Sequence, residues 1–212
     1  MNKTDVMAFQ QEYVLGTYAP SVLITKGQGS YVWDADGKKY LDFTTGISVC
    51  NLGHCHPAVT EAIQRQAATL VHTSNLYMNE WQPQLAALIA KNSLNGRLFF
   101  ANSGAEANEG MIKFARMWGN AKGKNEIICM EGSFHGRTLA TLAATARPKY
   151  REGFQPDMAG FSFVPFNDLN ALKAAVTEKT AAILLEPIQG EGGIIPPDVD
   201  FVKGVRELCD KH

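Results

Sequence analysis

Little in this sequence points to a polyanion or a membrane as partner. Its 20 Lys and Arg are matched by 21 Asp and Glu, a formal net charge of −1, so there is no basic excess for nucleic acid or an anionic bilayer to draw on. No uninterrupted apolar run is long enough to span a membrane. The opening Met1-Asn2-Lys3-Thr4-Asp5-Val6 puts an acid where a signal peptide needs its apolar core, and a cytoplasmic setting is expected. Cysteine is scarce, and Cys50, Cys55, Cys129 and Cys209 have no framework spacing, which favours reduced thiols over disulfides. Several chemical signatures lack an essential member. Gly27-Gln28-Gly29 continues to Val32 where a dinucleotide fingerprint needs its third glycine, and no Gly-Lys-Ser/Thr marks a nucleotide P-loop. Gly53-His54-Cys55-His56-Pro57 offers imidazoles and a thiol but no second ligand pair, so a loop leading into a helix is preferred to a metal site. Glu131 and His135 stand where a serine-hydrolase elbow around Ser133 would have glycines.

What is present is enough for a globular core: 212 residues, 45% hydrophobic and 19% charged, room for one large domain or two small ones. Residues 1 to about 20 read as an arm that packs on something else. Residues 22–43 read as an antiparallel meander with Asp36-Gly37 at a hairpin turn. Pro57 opens a helix over 58–71 with Val59, Ile63, Ala67 and Leu70 on its core face, and another helix runs over 83–90. An alternation follows: strand 98–101, helix 105–118, strand 126–130, helix 138–146, strand 160–164, helix 168–176, strand 181–185, helix 201–209. Apolar strands without polar alternation, each followed by a helix, predict a mostly parallel α/β sheet covered on both faces. The expected division is an N-terminal segment, 1–75, and an α/β domain, 76–212.

In such sheets ligands gather at the carboxyl ends of the strands, and three of those ends are chemically unusual. The first is Asn102-Ser103-Gly104-Ala105-Glu106-Ala107-Asn108-Glu109. A small-residue turn opening directly onto a helix presents free N–H groups and the positive end of a helix dipole, as a phosphate requires; an ordinary strand-to-helix connection is the plainer alternative, and Glu106 and Glu109 weigh against an anion unless both point away. The helix is expected to bury Ala107, Met111, Phe114, Ala115 and Trp118 and to end at Gly119. The second end, Gly132-Ser133-Phe134-His135-Gly136-Arg137-Thr138, delivers an aromatic to stack on a flat ring and a guanidinium to grip a carboxylate, or else a core phenylalanine and a surface arginine. The third, Glu186-Pro187-Ile188-Gln189-Gly190-Glu191-Gly192-Gly193, is either a solvated loop or a site, and a glutamate closing an apolar strand needs a partner.

Together with Gly46-Ile47-Ser48-Val49, Asn51-Leu52-Gly53-His54, His72-Thr73-Ser74-Asn75 and Arg206-Glu207-Leu208-Cys209-Asp210, these stretches resemble the class III pyridoxal-phosphate aminotransferases, above all the branch acting on N-acetylornithine. The resemblance covers nearly the whole chain. It implies the α/β fold of the type I pyridoxal-phosphate transferases and a homodimer. It also implies transfer of the terminal amino group of N-acetylornithine to 2-oxoglutarate, within arginine biosynthesis, in two half-reactions. By the same resemblance Ser103, Gly104 and Ala105 hold the cofactor phosphate, Phe134 stacks on its ring and Arg137 takes a substrate carboxylate. Glu191 faces the substrate and can pair with a distal arginine, and Glu186 is a structural carboxylate under the cofactor. Ornithine or 4-aminobutyrate enzymes are the neighbouring alternatives; Ile47 stands where the ornithine enzymes have a tyrosine. A non-catalytic binding or dimerisation module is the alternative of another class.

The family's lysine for the Schiff base and its aspartate for the pyridine nitrogen have no counterpart here, so no catalytic residue is assigned and the chain is expected to match the N-terminal half of such an enzyme, with a truncated sheet of marginal stability. Lys113, Lys149 and Lys203 lie in other contexts. Residues 1–212 mixed with pyridoxal phosphate are therefore expected to show no visible absorption band of a covalently held cofactor. Borohydride treatment followed by mass spectrometry should find no stable adduct on any lysine, and finding one overturns the expectation.

Overall fold

The computed structural model describes residues 1–212, in two compact units, Met1–Gln84 and Leu85–His212. The first begins with α1 (Lys3–Tyr13), a helix with no buried residue within the segment read as an arm. Asn2 caps it: its side chain accepts from the Asp5 N–H while Asp5 reaches back to the Asn2 N–H, a reciprocal pairing that satisfies first-turn donors. Lys3 pairs with Asp36 at the hairpin turn. The meander is β1 (Ile24–Gln28), β2 (Tyr31–Asp34) and β3 (Lys39–Leu41), antiparallel in that order. Asp34 organises its turn by accepting the N–H groups of Asp36 and Lys38 and the Tyr40 hydroxyl.

After the meander Asp42 accepts four hydrogen bonds, from the Thr44 N–H and hydroxyl, the Thr45 N–H, and His54 Nε2 at 2.7 Å. The His54 ring lies under Gly27, where a Cβ would come within 2.7 Å of it, and this first histidine of the Gly53–Pro57 loop is held by the Asp42 carboxylate. Between Asp42 and His54 the single turn α2 (Thr45–Ser48) carries Thr45, Gly46, Ile47 and Ser48 all at positive φ. The unit continues with α3 (Pro57–Thr69), Pro57 at its first turn. Its expected core face is not buried: Val59, Ile63, Ala67 and Leu70 are exposed, since nothing within the unit covers that side. Helix α4 (Trp81–Lys91) spans the division between the units.

The second unit holds a parallel sheet of β4 (Glu126–Met130), β5 (Phe161–Val164) and β6 (Thr180–Leu184), in the order β5-β4-β6. Every side chain of the central strand is apolar past Glu126, and both faces are covered. Ile127 and Cys129 pack with Ile112 of α5 (Gly104–Asn120), Ala140 of α6 (Leu139–Ala143) and Ala144, which caps α6. Ile128 and Met130 pack on the other face with Val164, Leu172 and Phe201, the last two from α8 (Leu169–Ala175) and α9 (Val199–Lys211). Burial there pushes the Cys129 thiol up to about 12. A short α7 (Pro148–Arg151), not expected from the sequence, follows α6. No helix is long and apolar enough to cross a membrane.

Three expectations fail in this unit. Residues 98–101 form no strand, because the chain described offers that extended run no ladder partner. The buried side of α5 is centred on Ile112 and Gly119, while Met111, Phe114 and Trp118 are exposed. Gly119 does not end the helix: a Cβ there would lie 2.2 Å from the Lys124 carbonyl oxygen and 2.9 Å from Ala181 Cβ, so glycine serves close packing of α5 on β6.

Phe201, 2% exposed in the second core face, should cost about 3–5 kcal/mol when replaced by alanine, read from the urea midpoint. The hydrogen bond from His54, then those from Thr44 and Thr45, hold the Asp42 carboxyl below its ordinary value. A lowered folded pKa stabilises above the unfolded value and loses that contribution as pH falls through the folded one. Chemical unfolding should therefore show an acid-dependent fall in stability below about pH 4 that is shallower in Asp42→Asn; equal slopes would refute the assignment.

Candidate active site

Three segments meet in the second unit, the loops after β4 and β6 and the first turn of α5, which forms one wall. Ser103 caps the helix, its hydroxyl accepting from the Glu106 N–H at 3.1 Å. The Ala107 N–H is taken by the Ser103 carbonyl. The N–H groups of Gly104 and Ala105 have no protein acceptor, as the start of a helix dictates. The two carboxylates that weighed against an anion here are both engaged elsewhere. Glu106 reaches back to the Asn102 N–H at 2.6 Å, and Glu109 accepts from the Thr138 hydroxyl. The residues present fit a phosphate: two unclaimed N–H donors, the dipole of a seventeen-residue helix behind them, and no unpaired acid among them.

The loop after β4 is fastened to this turn. Asn108 Nδ2 donates to the His135 carbonyl at 2.6 Å, and the His135 N–H donates to Thr145 Oγ1 at 3.0 Å. Gly136 sits at φ +141°, and a Cβ there would lie 2.5 Å from Thr141 Oγ1 and 2.9 Å from Ala105 Cβ. These ties orient the half-buried Phe134 and the exposed Arg137. Arg137 enters no ion pair or hydrogen bond with the protein; its guanidinium is held by aromatic faces, 4.1 Å from the Tyr150 ring and 5.4 Å from Phe134. Phe134 and Tyr150 meet edge to face at 6.2 Å. An arginine fixed by stacking with its donors unspent is available to a carboxylate.

The loop after β6 supplies the opposite wall. Glu186 accepts the Phe134 N–H at 2.9 Å and the Gly190 N–H at 3.1 Å, which answers how a glutamate can close an apolar strand. His135 is 4% exposed with Nε2 unpartnered. Burial lowers its pKa, with nearby Glu186 pulling the other way, which keeps the imidazole neutral at pH 7. Gln189, 1% exposed, donates to the Glu131 carbonyl at 2.8 Å and exchanges two backbone bonds with Ile195. Glu191 is exposed, and its carbonyl accepts from Arg147.

Ser103, Gly104 and Ala105 thus adjoin the Phe134–Arg137 loop, and Glu186 and Glu191 lie on the loop bonded to it. Asn108, Gln189, Arg147 and Tyr150 escape sequence reasoning. The available hint for the last two was Arg147-Pro148-Lys149-Tyr150, a helix start just past a strand-end loop.

The family model of the class-III aminotransferases matches residues 15–212. The acetylornithine aminotransferase of Methanocaldococcus jannaschii is 53% identical over 99% of this chain and 54% of its own length. Among solved structures, the ornithine aminotransferase of Toxoplasma gondii superposes with a TM-score of 0.92 at 33% identity, over 100% of this chain and 52% of that one. The N-acetylornithine aminotransferase of Stenotrophomonas maltophilia does so at 0.80 and 38%, over 97% and 51%. The chain spans about half the length of the curated relatives it matches. By sequence and by fold, this chain belongs to the class-III aminotransferases.

Proposed function

We propose that this chain carries the phosphate-binding and substrate-carboxylate-binding parts of an aminotransferase that moves the terminal amino group of N-acetylornithine to 2-oxoglutarate with pyridoxal phosphate. The observation behind this reading is the meeting of a helix start with two strand-end loops: unclaimed N–H groups at Gly104 and Ala105, a Phe134 ring beside an unpaired Arg137, and a Glu186–Gly193 loop bonded to the Phe134 loop. Acetylornithine aminotransferases at about half identity support this substrate over ornithine.

Pyridoxal phosphate, when bound, supplies the electron sink for the transfer. Ser103, Gly104 and Ala105 would hold its phosphate through the hydroxyl and the two N–H groups. Phe134 would lie against its ring, and Glu186 fixes that ring's support by holding the Phe134 peptide. Arg137 would take the carboxylate remote from the reacting carbon, the α-carboxylate of N-acetylornithine and the γ-carboxylate of 2-oxoglutarate, so that one site serves donor and acceptor in turn. Glu191, exposed on its glycine-rich loop, would face the remainder of the substrate. The neutral His135 beneath the loop adds no competing positive charge. Association of two copies and a cytoplasmic setting belong to the same reading; the exposed Met111, Phe114 and Trp118 of α5 suit burial against a second chain.

The test is turnover of N-acetylornithine, ornithine and 4-aminobutyrate with 2-oxoglutarate, on a polypeptide of the relatives' full length that carries this sequence. N-acetylornithine should be preferred, and Arg137→Ala should lower kcat/KM for donor and acceptor alike by about 10- to 100-fold, the loss of charge-assisted hydrogen bonds. No preference among the donors would reject the substrate, and an unchanged kcat/KM in Arg137→Ala would reject the site.

A further inference from the structure

Arg147 lies between the two loops of the site and belongs to neither. Its side chain, at the start of α7, donates from one terminal nitrogen to the Gly132 carbonyl at 3.2 Å and to the Glu191 carbonyl. Its Nε is buried with no partner, and its guanidinium lies 5.6 Å from the Tyr150 ring centroid. None of the chain's ion pairs includes it, so the positive charge is directed at two peptide oxygens on two separate strand-end loops. Bonds of this charge-assisted kind are stronger than those between neutral groups.

The loops are also in direct contact there. A Cβ on Gly192 would lie 3.0 Å from the Gly132 carbonyl oxygen and 2.8 Å from Gln189 Oε1. The segment following Gln189 holds glycine at 190, 192 and 193, backbone with wide freedom and no apolar anchor, since Ile188 and Ile194 are both exposed. Its position depends on polar ties, and Arg147 provides one at residue 191. The same Tyr150 ring carries Arg137 at 4.1 Å and the edge of Phe134. One aromatic side chain therefore sets the height of both guanidinium groups.

The geometry points to Arg147 as a positioning residue that fixes Glu191 relative to Phe134 and Arg137 by holding the peptide oxygens of both loops. The clasp is a property of this chain; only the role of Glu191 toward substrate rests on the proposed function. A guanidinium suits the task because its planar fork offers donors while its face packs on an aromatic ring, which an ammonium does less well.

Amide hydrogen exchange on residues 1–212 tests it with Arg147→Met and Arg147→Lys. The reporters are the N–H groups of Gly190, bonded to Glu186, and of Gly193 and Ile194, bonded to the Gly190 carbonyl. The references are those of Ile127 and Glu131 in and beside β4. Arg147→Met should speed exchange at the reporters about tenfold, equivalent to about 1.4 kcal/mol of lost hydrogen bonding, and leave the references unchanged. Arg147→Lys, keeping a charged donor, should return the reporters to within about threefold of the parent chain. Equal behaviour of the methionine variant and the parent, or of the methionine and lysine variants, overturns the proposal, the second because packing alone would then suffice. Acceleration at the references as large as at the reporters overturns it too, as a general loss of stability. Equilibrium dialysis of pyridoxal phosphate against the same proteins separates the two readings. Absence of binding with the clasp intact counts against the proposed function alone, and binding with unchanged exchange in Arg147→Met counts against the clasp alone.

Discussion

The loop after β4 can lie against the first turn of α5 only because position 136 has no side chain: a Cβ there would meet Thr141 Oγ1 at 2.5 Å and Ala105 Cβ at 2.9 Å. The close approach brings the His135 carbonyl to Asn108 and the Phe134 N–H to Glu186. A β4 loop lifted by one methyl would move the aromatic away from the free N–H groups of α5 and strain the Asn108–His135 tie. The central strand makes such an approach possible. Covered on both faces by helices, β4 holds α5 and the β6 loop in fixed relation to its own end.

The electrostatics follow from how each charged group is engaged. Four acids lie close to a supposed anion site, yet Glu106, Glu109 and Glu186 are each bonded to N–H or hydroxyl donors of the protein. Only Glu191 keeps its carboxylate free of protein donors. Among the cations, Arg147 is directed at peptide oxygens and Arg137 at aromatic faces. What these segments leave unspent is one guanidinium, that of Arg137, and one carboxylate, that of Glu191.

How much of this was legible in the sequence depended on whether the signal was local. Strand β4 is bounded as expected, and its alternate residues Ile127, Cys129 and Ile128, Met130 fill the two core faces, since an apolar run of that length has no other use. The three motifs of the site were visible as clusters of small, aromatic and charged residues, although only two of them follow strands. The face of α5 was not. Met111, Phe114 and Trp118 share one helical stripe and Ile112, Ala115 and Gly119 another, and periodicity cannot choose between two apolar stripes without knowing what lies opposite each. Residues 98–101 failed for a related reason, because a strand is a property of a pair and the run alone carries no information about its partner. Gly119 reads locally as a helix stop; its close approach to Lys124 and Ala181 depends on tertiary packing.

Gln189 and Arg147 show why the polar ties escaped altogether. A glutamine between Ile188 and Gly190 has the sequence context of a solvated turn, yet it is among the most buried side chains of the unit. Burying an amide is unfavourable unless it finds a partner, and here its Nε2 donates to the Glu131 carbonyl while the Gln189 backbone exchanges both of its bonds with Ile195. Those partners lie 58 residues upstream and a few residues downstream, positions no spacing rule connects. A glycine-rich loop is free to follow a substrate's shape but also free to drift. In this fold polar side chains that reach across from other segments limit that drift, so the loop bearing Glu191 is set by chemistry between loops more than by its own sequence.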